Sequence, residues 1–589
     1  MTTYFFVDKL PKKQSGVYAH YDHQIMQEKF WEQLDVRKYI QSQEHSWVMQ
    51  TQKWHTKLSR TALQLTEWWW LHQASKLVTW NLPVFKPFFF SIAIIELTKN
   101  RSIGQLYLLN CPQIIADYIQ DLSPNNQCVQ SKITKKSFKE KSGIQKILFF
   151  KRTLSLLFNS LSIFIQNKHS SFDTTKKVLI YSHFLGIESF QQHSDHYFGK
   201  MFDFKETRNF NDISWIYYTE TRSKDQLNSF NKLLHQSHTV FTYLERHLFA
   251  VDYLKIVKIL FNFVEFYKDL KSRLPNIYID GYYSRLFASD FYTHLIINRS
   301  PVRELVVYHA IKNHLKESQV ETIIYPYEDK SIEHAILKAV GSSINKPKTI
   351  GLAHACHSTA YLSYLREANS PQPDLIATTG EKAQEWLNQL AYIPQNKMVT
   401  WGSKRYHSTI QKVDRPLSNQ LRILLLVGIY YEISMFTNFL KQAPNVLGGC
   451  QLWIRKKPHA WQKEQNECMV PIQKDHTVNY RDDDASLQKQ FEWCDIALFC
   501  YTSAGIEAML CGVPTIWVDL HDTIMIDPLT GKGDLSCIPR CFSGSDLKTT
   551  LQKFRKMENK SRKQLIEGQI HFASQIYSPI QYQELEKTL

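Results

Sequence analysis

Short apolar runs recur along this chain, each closed by a polar turn and followed by a stretch with helical spacing. The first 100 residues differ, reading as helical and aromatic-rich with "TEWWWLHQASK" at 66–76. Neighbouring helix positions lie about 100° apart, so Trp68, Trp69 and Trp70 cannot share one face. Either that helix buries a wide face, or at least one tryptophan meets another domain or a membrane. Beyond it, "IGQLYLLNC" (103–111) precedes the helical "PQIIADYIQDL", and "KKVLIYSHF" (176–184) and "DISWIYYTE" (212–220) read as further strands. "VETIIYPYE" (320–328) leads into "DKSIEHAILKAV". "PKTIGLAH" (347–354), "PDLIATTG" (373–380) with its helix "EKAQEWLNQLAY", and "KMVTWGS" (397–403) complete this series.

A polar stretch with Pro416 follows at 404–420, and the pattern restarts. "LRILLLVG" (421–428) precedes a helix near 431–442, and "CQLWIRKKPH" (450–459) is a strand ending in a basic turn. "CDIALFCYTSAGIEAMLCGVPTIWVD" (494–519) reads as strand, turn, helix and strand. Strands alternating with helices predict parallel α/β sheets. Two such series predict two facing Rossmann-like domains. The expected organisation is a helical, aromatic-rich region over 1–100 and a first Rossmann-like domain over 101–403, with a basic and apolar insertion at about 130–170. A linker at 404–420, a second Rossmann-like domain over 421–545 and a helical tail over 546–589 follow.

Composition narrows the partners. The 589 residues carry a formal net charge of +16, which favours an acidic partner: nucleic acid, an anionic membrane or a phosphorylated substrate. The aromatics sit in helices and strands rather than interleaved with a basic stripe, which argues against nucleic acid. Cys537 and Cys541 have a spacing that suits two metal ligands, but no second pair accompanies them, so no metal is expected. The start, "MTTYFFVDKLPKKQSG", has too short an apolar run for a secretory signal, so a reducing cytoplasm is expected. No segment reaches the roughly 18 uncharged apolar residues of a spanning helix. "TLSLLFNSLSIFI" (153–165) comes nearest and follows a lysine-rich run from Lys132 to Lys146. Such a segment is either a charged loop before a core helix or a helix lying on an anionic membrane.

In open parallel sheets, ligands bind beyond the carboxyl ends of the strands, so chemistry is sought just after each one. Thr502 and Ser503 follow a strand and can cap the next helix with their hydroxyls. Gly505 is expected to let a ligand approach the backbone. A helix N-terminus with free N–H groups is also an anion seat. Glu507, in the first turn, suits a ribose hydroxyl or simply offsets the helix dipole. Arg455, Lys456, Lys457 and His459 offer charge to a phosphate, and Gly428 follows the first strand of the second series. In the first series Glu328 and Asp329 follow one strand, and His354 and His357 follow the next. A carboxylate and a histidine at neighbouring strand ends can share a cleft and serve as general base. The run Asp482–Asp484 reads as a solvated loop.

Taken together, "YPYEDKSIEHAILKAV", "GLAHACHSTAYLSYLREANSPQPDLIATTGEKAQEWL", "MVTWGSKRYH" and "TSAGIEAMLCGVPTIWVD" resemble a bacterial surface-carbohydrate biosynthesis family. That family is associated with lipopolysaccharide O-antigen and capsule loci and is similar to GT-B glycosyltransferases. The resemblance covers about 320–520 well and 60–120 loosely. It implies a GT-B-like fold in which the C-terminal domain binds the nucleotide sugar and the N-terminal domain the acceptor. The turn at 502–505 would then hold the donor phosphate. His459 resembles part of the His-Pro motif of CMP-sugar-using transferases, in reversed order after Pro458. The family's His-Ser-Thr segment matches His357, a broader Gly-x-x-His habit selects His354, and its acidic residue after "YPY" matches Glu328. The implied activity is transfer from a nucleotide sugar, its base unspecified and without a further cofactor, to a lipid-linked or lipid A-core glycan. The implied location is cytoplasmic, peripheral to the inner membrane. A sugar-nucleotide epimerase of the same fold and a non-catalytic glycan-assembly protein are the alternatives.

Overall fold

The computed structural model describes residues 2–7, 16–20, 31–33, 36–68, 85–109, 111–130, 142–167, 174–184, 195, 197–199, 201–202, 212–219, 241–291, 300–355, 371–391, 393–406, 417–428, 432–441, 443, 445–456, 462–473, 479–481, 485–520, 528–529 and 533–589. Three sheets organise them, every strand parallel to its neighbours within each.

The N-terminal sheet takes β1 (Thr3–Val7), β2 (Gly16–His20), β3 (Trp31–Gln33), β4 (Gln105–Leu109) and β5 (Gln127–Gln130) in the order β3-β2-β4-β1-β5. The helices expected over 1–100 are present as α1 (Val36–Leu65) and α2 (Phe85–Asn100), and the structure adds β1–β3 to them. The run 103–111 supplies β4 to this sheet instead of opening the first Rossmann-like unit. α2 is apolar nearly all round because it is buried nearly all round: Phe88, Phe90, Ile92 and Ile94 are fully enclosed. α3 (Gln113–Leu122) and α4 (Ser142–Asn167) follow. α1 ends before the tryptophans, where the Trp68 N–H donates to Thr66 Oγ1 (3.2 Å) in a turn. Trp68 packs edge-on to Tyr308 at 5.2 Å and touches both the N-terminal core and the next one, so of the two alternatives it takes the contact with a second unit. Trp69 and Trp70 lie outside the described residues.

The second sheet contains β6 (Val178–Phe184), β7 (Ile213–Thr219), β8 (Phe241–Tyr243), β11 (Thr322–Pro326), β12 (Lys348–Ala353), β13 (Leu375–Thr378) and β14 (Met398–Thr400). Their order is β14-β13-β12-β11-β6-β7-β8. Between β8 and β11 come α5 (Ala250–Ser272), the antiparallel hairpin β9 (Ile277–Ile279) and β10 (Tyr282–Ser284), α6 (Arg285–Phe291) and α7 (Val302–Glu317). α8 (Ser331–Gly341) and α9 (Glu381–Ala391) complete this unit.

The third sheet takes β15 (Leu421–Leu426), β16 (Cys450–Arg455), β17 (Asn479–Arg481), β18 (Ile496–Phe499), β19 (Thr515–Val518) and β20 (Arg540–Cys541) in the order β17-β16-β15-β18-β19-β20. Its helices are α10 (Glu432–Lys441), α11 (Gln462–Gln473), α12 (Leu487–Trp493), α13 (Ala504–Leu510) and α14 (Gly544–Lys556). The central strands β15, β16, β18 and β19 are largely apolar because helices cover both faces.

The second and third sheets therefore build the two facing Rossmann-like units. The C-terminal segment ties them together. α15 (Asn559–Ile576) seats Phe572 and Ile576 in the second Rossmann-like core, and α16 (Tyr582–Thr588) seats Leu585 in the first. Between them the Ser578 N–H donates to Thr379 O, and the N–H groups of Ser403 and Gln581 donate to Ser578 O and Trp401 O, each at 2.9 Å. Gly402, at φ +84°, is required at this crossing because a Cβ there would overlap the Pro579 carbonyl.

Candidate active site

Each Rossmann-like sheet has one place where strand order reverses direction, and such a place opens a crevice beyond the strand ends. In the first unit it lies between β6 and β11, which are paired neighbours although far apart in sequence. Glu328 stands just past β11, and His354 follows β12, the next strand along. The structure brings them together: His354 Nε2 lies 3.3 Å from Glu328 Oε1, both side chains about nine-tenths buried. Lys330 pairs with the other Glu328 oxygen. His357, the other candidate histidine, lies outside the described residues.

The backbone beneath this pair is held by its neighbours. Glu333, in the first turn of α8, accepts from the Glu328 N–H (2.9 Å) and the Lys330 N–H (3.0 Å). Burial pushes its carboxyl up to about 8. Asp329 sits at φ +54°, an uncommon conformation for a residue with a Cβ. Its carboxylate meets His334 Nε2 at 2.8 Å. Asp329 therefore does not cap α8, and Glu333 does.

The β6 side adds residues that the sequence did not mark. Asp195 accepts from Ser182 Oγ (2.9 Å), from Tyr217 OH (3.4 Å) and from the backbone N–H groups of Tyr197 and Phe198. The Tyr197 ring stands edge-on to His354 at 4.7 Å, and His183, at the end of β6, lies 5.6 Å from Tyr197. A histidine or serine late in a strand is a faint signal. It gains meaning only when strand order shows β6 at the switch.

In the second unit the reversal lies between β15 and β18. The turns after these strands are in contact, since a Cβ on Gly428 would come 3.2 Å from the Thr502 nitrogen. The close backbone approach at Gly428 is thus to Thr502. The Gly428 N–H donates to Glu432. Thr502 Oγ1 accepts from the Ala504 N–H at 3.2 Å, whereas Ser503 makes no cap bond. The capping hydroxyl at this corner is Thr502, and the half-buried Ser503 hydroxyl is uncommitted among the described residues. Gly505 has a different reason from the one expected. It rests on Phe499, and a Cβ there would meet three ring carbons at 2.7 Å or closer, so it serves helix-on-strand packing.

Other expected contacts are engaged elsewhere. The Arg455 guanidinium donates to Gln490 Oε1 (2.7 Å) and Ala485 O (3.3 Å), which ties it to the start of α12. Glu507 is ion-paired with Arg405. Lys457, His459 and Asp482–Asp484 lie outside the described residues. Among those described, no group of three His, Cys, Asp or Glu side chains is placed to hold a metal ion.

Arg405 and its neighbour Lys404 come from the linker, which the sequence marked only as polar. Lys404 packs its stem against Gly199 of the first unit. The next residue, Arg405, pairs with Glu507 of the second unit, so this stretch of the linker passes from one unit to the other. Burial, with the adjacent Arg405 charge, pushes Lys404 down to about 8. The first unit thus offers a carboxylate–imidazole pair fit to take a proton, and the second a helix start with the Ser503 hydroxyl uncommitted among the described residues, with Lys404 and Arg405 on the linker that joins them.

The chain matches no protein-family model and no curated protein. Among solved structures it is similar to Anabaena HepE in complex with UDP and glucose, at 11% identity and a TM-score of 0.37, covering 70% of this chain and 99% of that one. It is also similar to the UDP-GlcNAc 2-epimerase of Neisseria meningitidis bound to UDP-GlcNAc, at 10% identity and a TM-score of 0.37, covering 68% and 97%. The lipopolysaccharide outer core galactosyltransferase WaaB matches at 11% identity and a TM-score of 0.37, covering 70% and 98%.

Proposed function

We propose that this chain is a GT-B-type glycosyltransferase that moves a sugar from a nucleotide-sugar donor to a hydroxyl of a bacterial surface glycan. The carrying observation is the Glu328–His354 pair at one strand-order reversal, with Lys404 against Gly199 of the same unit and its neighbour Arg405 paired with Glu507 of the other. In this reading an acceptor hydroxyl gives its proton to the pair as its oxygen bonds to the donor sugar carbon. The bond from that carbon to the phosphate breaks, and the nucleotide leaves with the electron pair. Lys404, Ser503 and the start of α13 offset the charge that develops on the departing phosphate. The motif resemblance supplies the finer assignment: lipopolysaccharide O-antigen or capsule synthesis, on a lipid-linked or lipid A-core acceptor, at the cytoplasmic face of the inner membrane.

A thermal-shift panel of UDP, GDP, CMP and CDP tests the donor half. One base should raise the unfolding temperature selectively, because a ligand that binds only the folded state stabilises it by mass action. No response to any nucleotide refutes the reading. Glu328→Gln and His354→Ala should keep that shift and lose transfer. Turnover of a nucleotide sugar with no acceptor present would instead identify an epimerase.

A further inference from the structure

Eight of the thirteen exposed large apolar side chains among the described residues lie on α4 or on α5 with the residue before it. The most exposed are Leu154, Phe158 and Ile165 on α4, and Leu254 and Phe261 on α5, each more than half open to solvent. The two helices are neighbours, since Ser160 Oγ and Tyr253 OH are 3.1 Å apart and the Phe164 and Tyr253 rings lie at 6.1 Å. Both already bury an opposite face: Leu156 and Leu157, with Ile256, Ile259 and Leu260, pack on the core of the first Rossmann-like unit. Leu154 and Phe158 are four residues apart and Leu254 and Phe261 seven, so each pair shares an outward stripe. These stripes stay open to solvent, and patches of this kind mark interaction sites.

Charge indicates what covers them. α4 contains no Asp or Glu, and on α5 the exposed Lys255, Lys258, Lys268 and Lys271 outnumber the exposed Glu265 and Asp269. Over 132–152 the sequence carries eight Lys or Arg residues against the single acid Glu140. Lys151 and Lys258 are exposed alongside the apolar stripes. A second copy meeting this face through a two-fold axis would set Lys151 and Lys258 against their own copies. An anionic bilayer offers both an apolar layer for the side chains and negative headgroups for the lysines. No helix among the described residues is long and apolar enough to cross a membrane, so the helices would lie in the plane of the interface.

We propose that the outward faces of α4 and α5 form one docking surface for an anionic phospholipid bilayer. This stands independently of the glycosyl-transfer reading. The test is sedimentation of the full chain with phosphatidylcholine vesicles, with and without about 30 mol% phosphatidylglycerol. Wild type should partition onto the anionic vesicles and be released by high salt. The triple variant Phe158→Ser, Leu254→Ser and Phe261→Ser should bind at least about tenfold more weakly. Lys151→Glu with Lys258→Glu should weaken binding to anionic vesicles without creating binding to neutral ones. All three apolar side chains are exposed, so an unchanged melting temperature and nucleotide shift should show that the fold is intact. Equal vesicle binding by wild type and the triple variant overturns the proposal, as does no binding by wild type. A wild-type dimer that the triple variant turns into a monomer, with lipid partition unaltered, assigns the face to a second copy and also overturns it.

Discussion

Thr502 and Ser503 are adjacent hydroxyls at one helix start, and the structure gives them separate jobs. Thr502 accepts the Ala504 N–H, so Thr502→Ala removes a cap and should cost about 1 kcal/mol of stability. Ser503 accepts no helix N–H, so Ser503→Ala should change stability by less than about 0.5 kcal/mol. If Ser503 instead donates to the donor phosphate, its loss removes a hydrogen bond to a charged group, about 1.5–3 kcal/mol, or roughly ten- to a hundredfold in nucleotide affinity. The assay combines denaturant midpoints without ligand and thermal shifts with the nucleotide that binds wild type. At a nucleotide concentration of about 100 Kd, wild type gains about 2.7 kcal/mol, and a variant tenfold weaker gains about 1.4 kcal/mol. The pattern expected is a less stable Thr502→Ala and a Ser503→Ala of near-normal stability with a halved shift. A Ser503→Ala protein that binds nucleotide like wild type would remove the phosphate from this corner, and one as unstable as Thr502→Ala would mean that Ser503 is the cap after all.

Three further outcomes are expected. Nucleotide affinity should fall as pH rises through about 8, where Lys404 loses its charge, and Lys404→Arg should abolish that fall because guanidinium stays protonated; calorimetric titration across this range measures it. Glu245 is buried, its Oε2 has no hydrogen-bond partner among the described residues, and burial raises it from 4.5 to about 7. Between these values the unfolded chain has given up the proton while the folded chain keeps it, so wild-type stability should drop with rising pH by up to about 3 kcal/mol relative to Glu245→Gln, read from denaturant midpoints. Gly505→Ala sets a helix-propensity gain of about 1 kcal/mol against overlap with the fully buried Phe499 ring, costing about 1–3 kcal/mol or more, so net destabilisation is expected, relieved in part by Phe499→Leu in a double-mutant cycle.

The longer parallel strands of the two Rossmann-like sheets were legible because burial on both faces writes them as largely apolar runs, whereas the short strands β8, β17 and β20 were not marked. Nor were the N-terminal strands. "TYFFV" and "GVYAH" are five residues each and stand among aromatic stretches that suit a helix as well as a strand. β1 pairs with β4 and β5, and β2 with β4, all after residue 104, a pairing that local pattern does not carry. The same limit governs the site. Glu328 and His354 stand out in the sequence because each follows a strong strand. Whether two strand ends are neighbours depends on strand order, which only the assembled sheet supplies.

Lys404 and Arg405 show the opposite failure. In sequence they open a polar linker, where a pair of cations most often means a solvated surface. What sets them apart is geometry: the chain leaves β14, turns at Gly402 under the returning C-terminal segment, and delivers the next residues to the gap between two units. There Arg405 meets Glu507, and Lys404 rests on Gly199 with Asp195 close enough to feel its charge. Glu507 was expected to serve a ribose or the helix dipole, but its carboxylate holds the linker's arginine against α13. That contact couples the path of the linker to the helix start beside Ser503. A segment of low complementarity to either core thus becomes part of the candidate site because both cores end beside it, and no pattern within the segment could announce that.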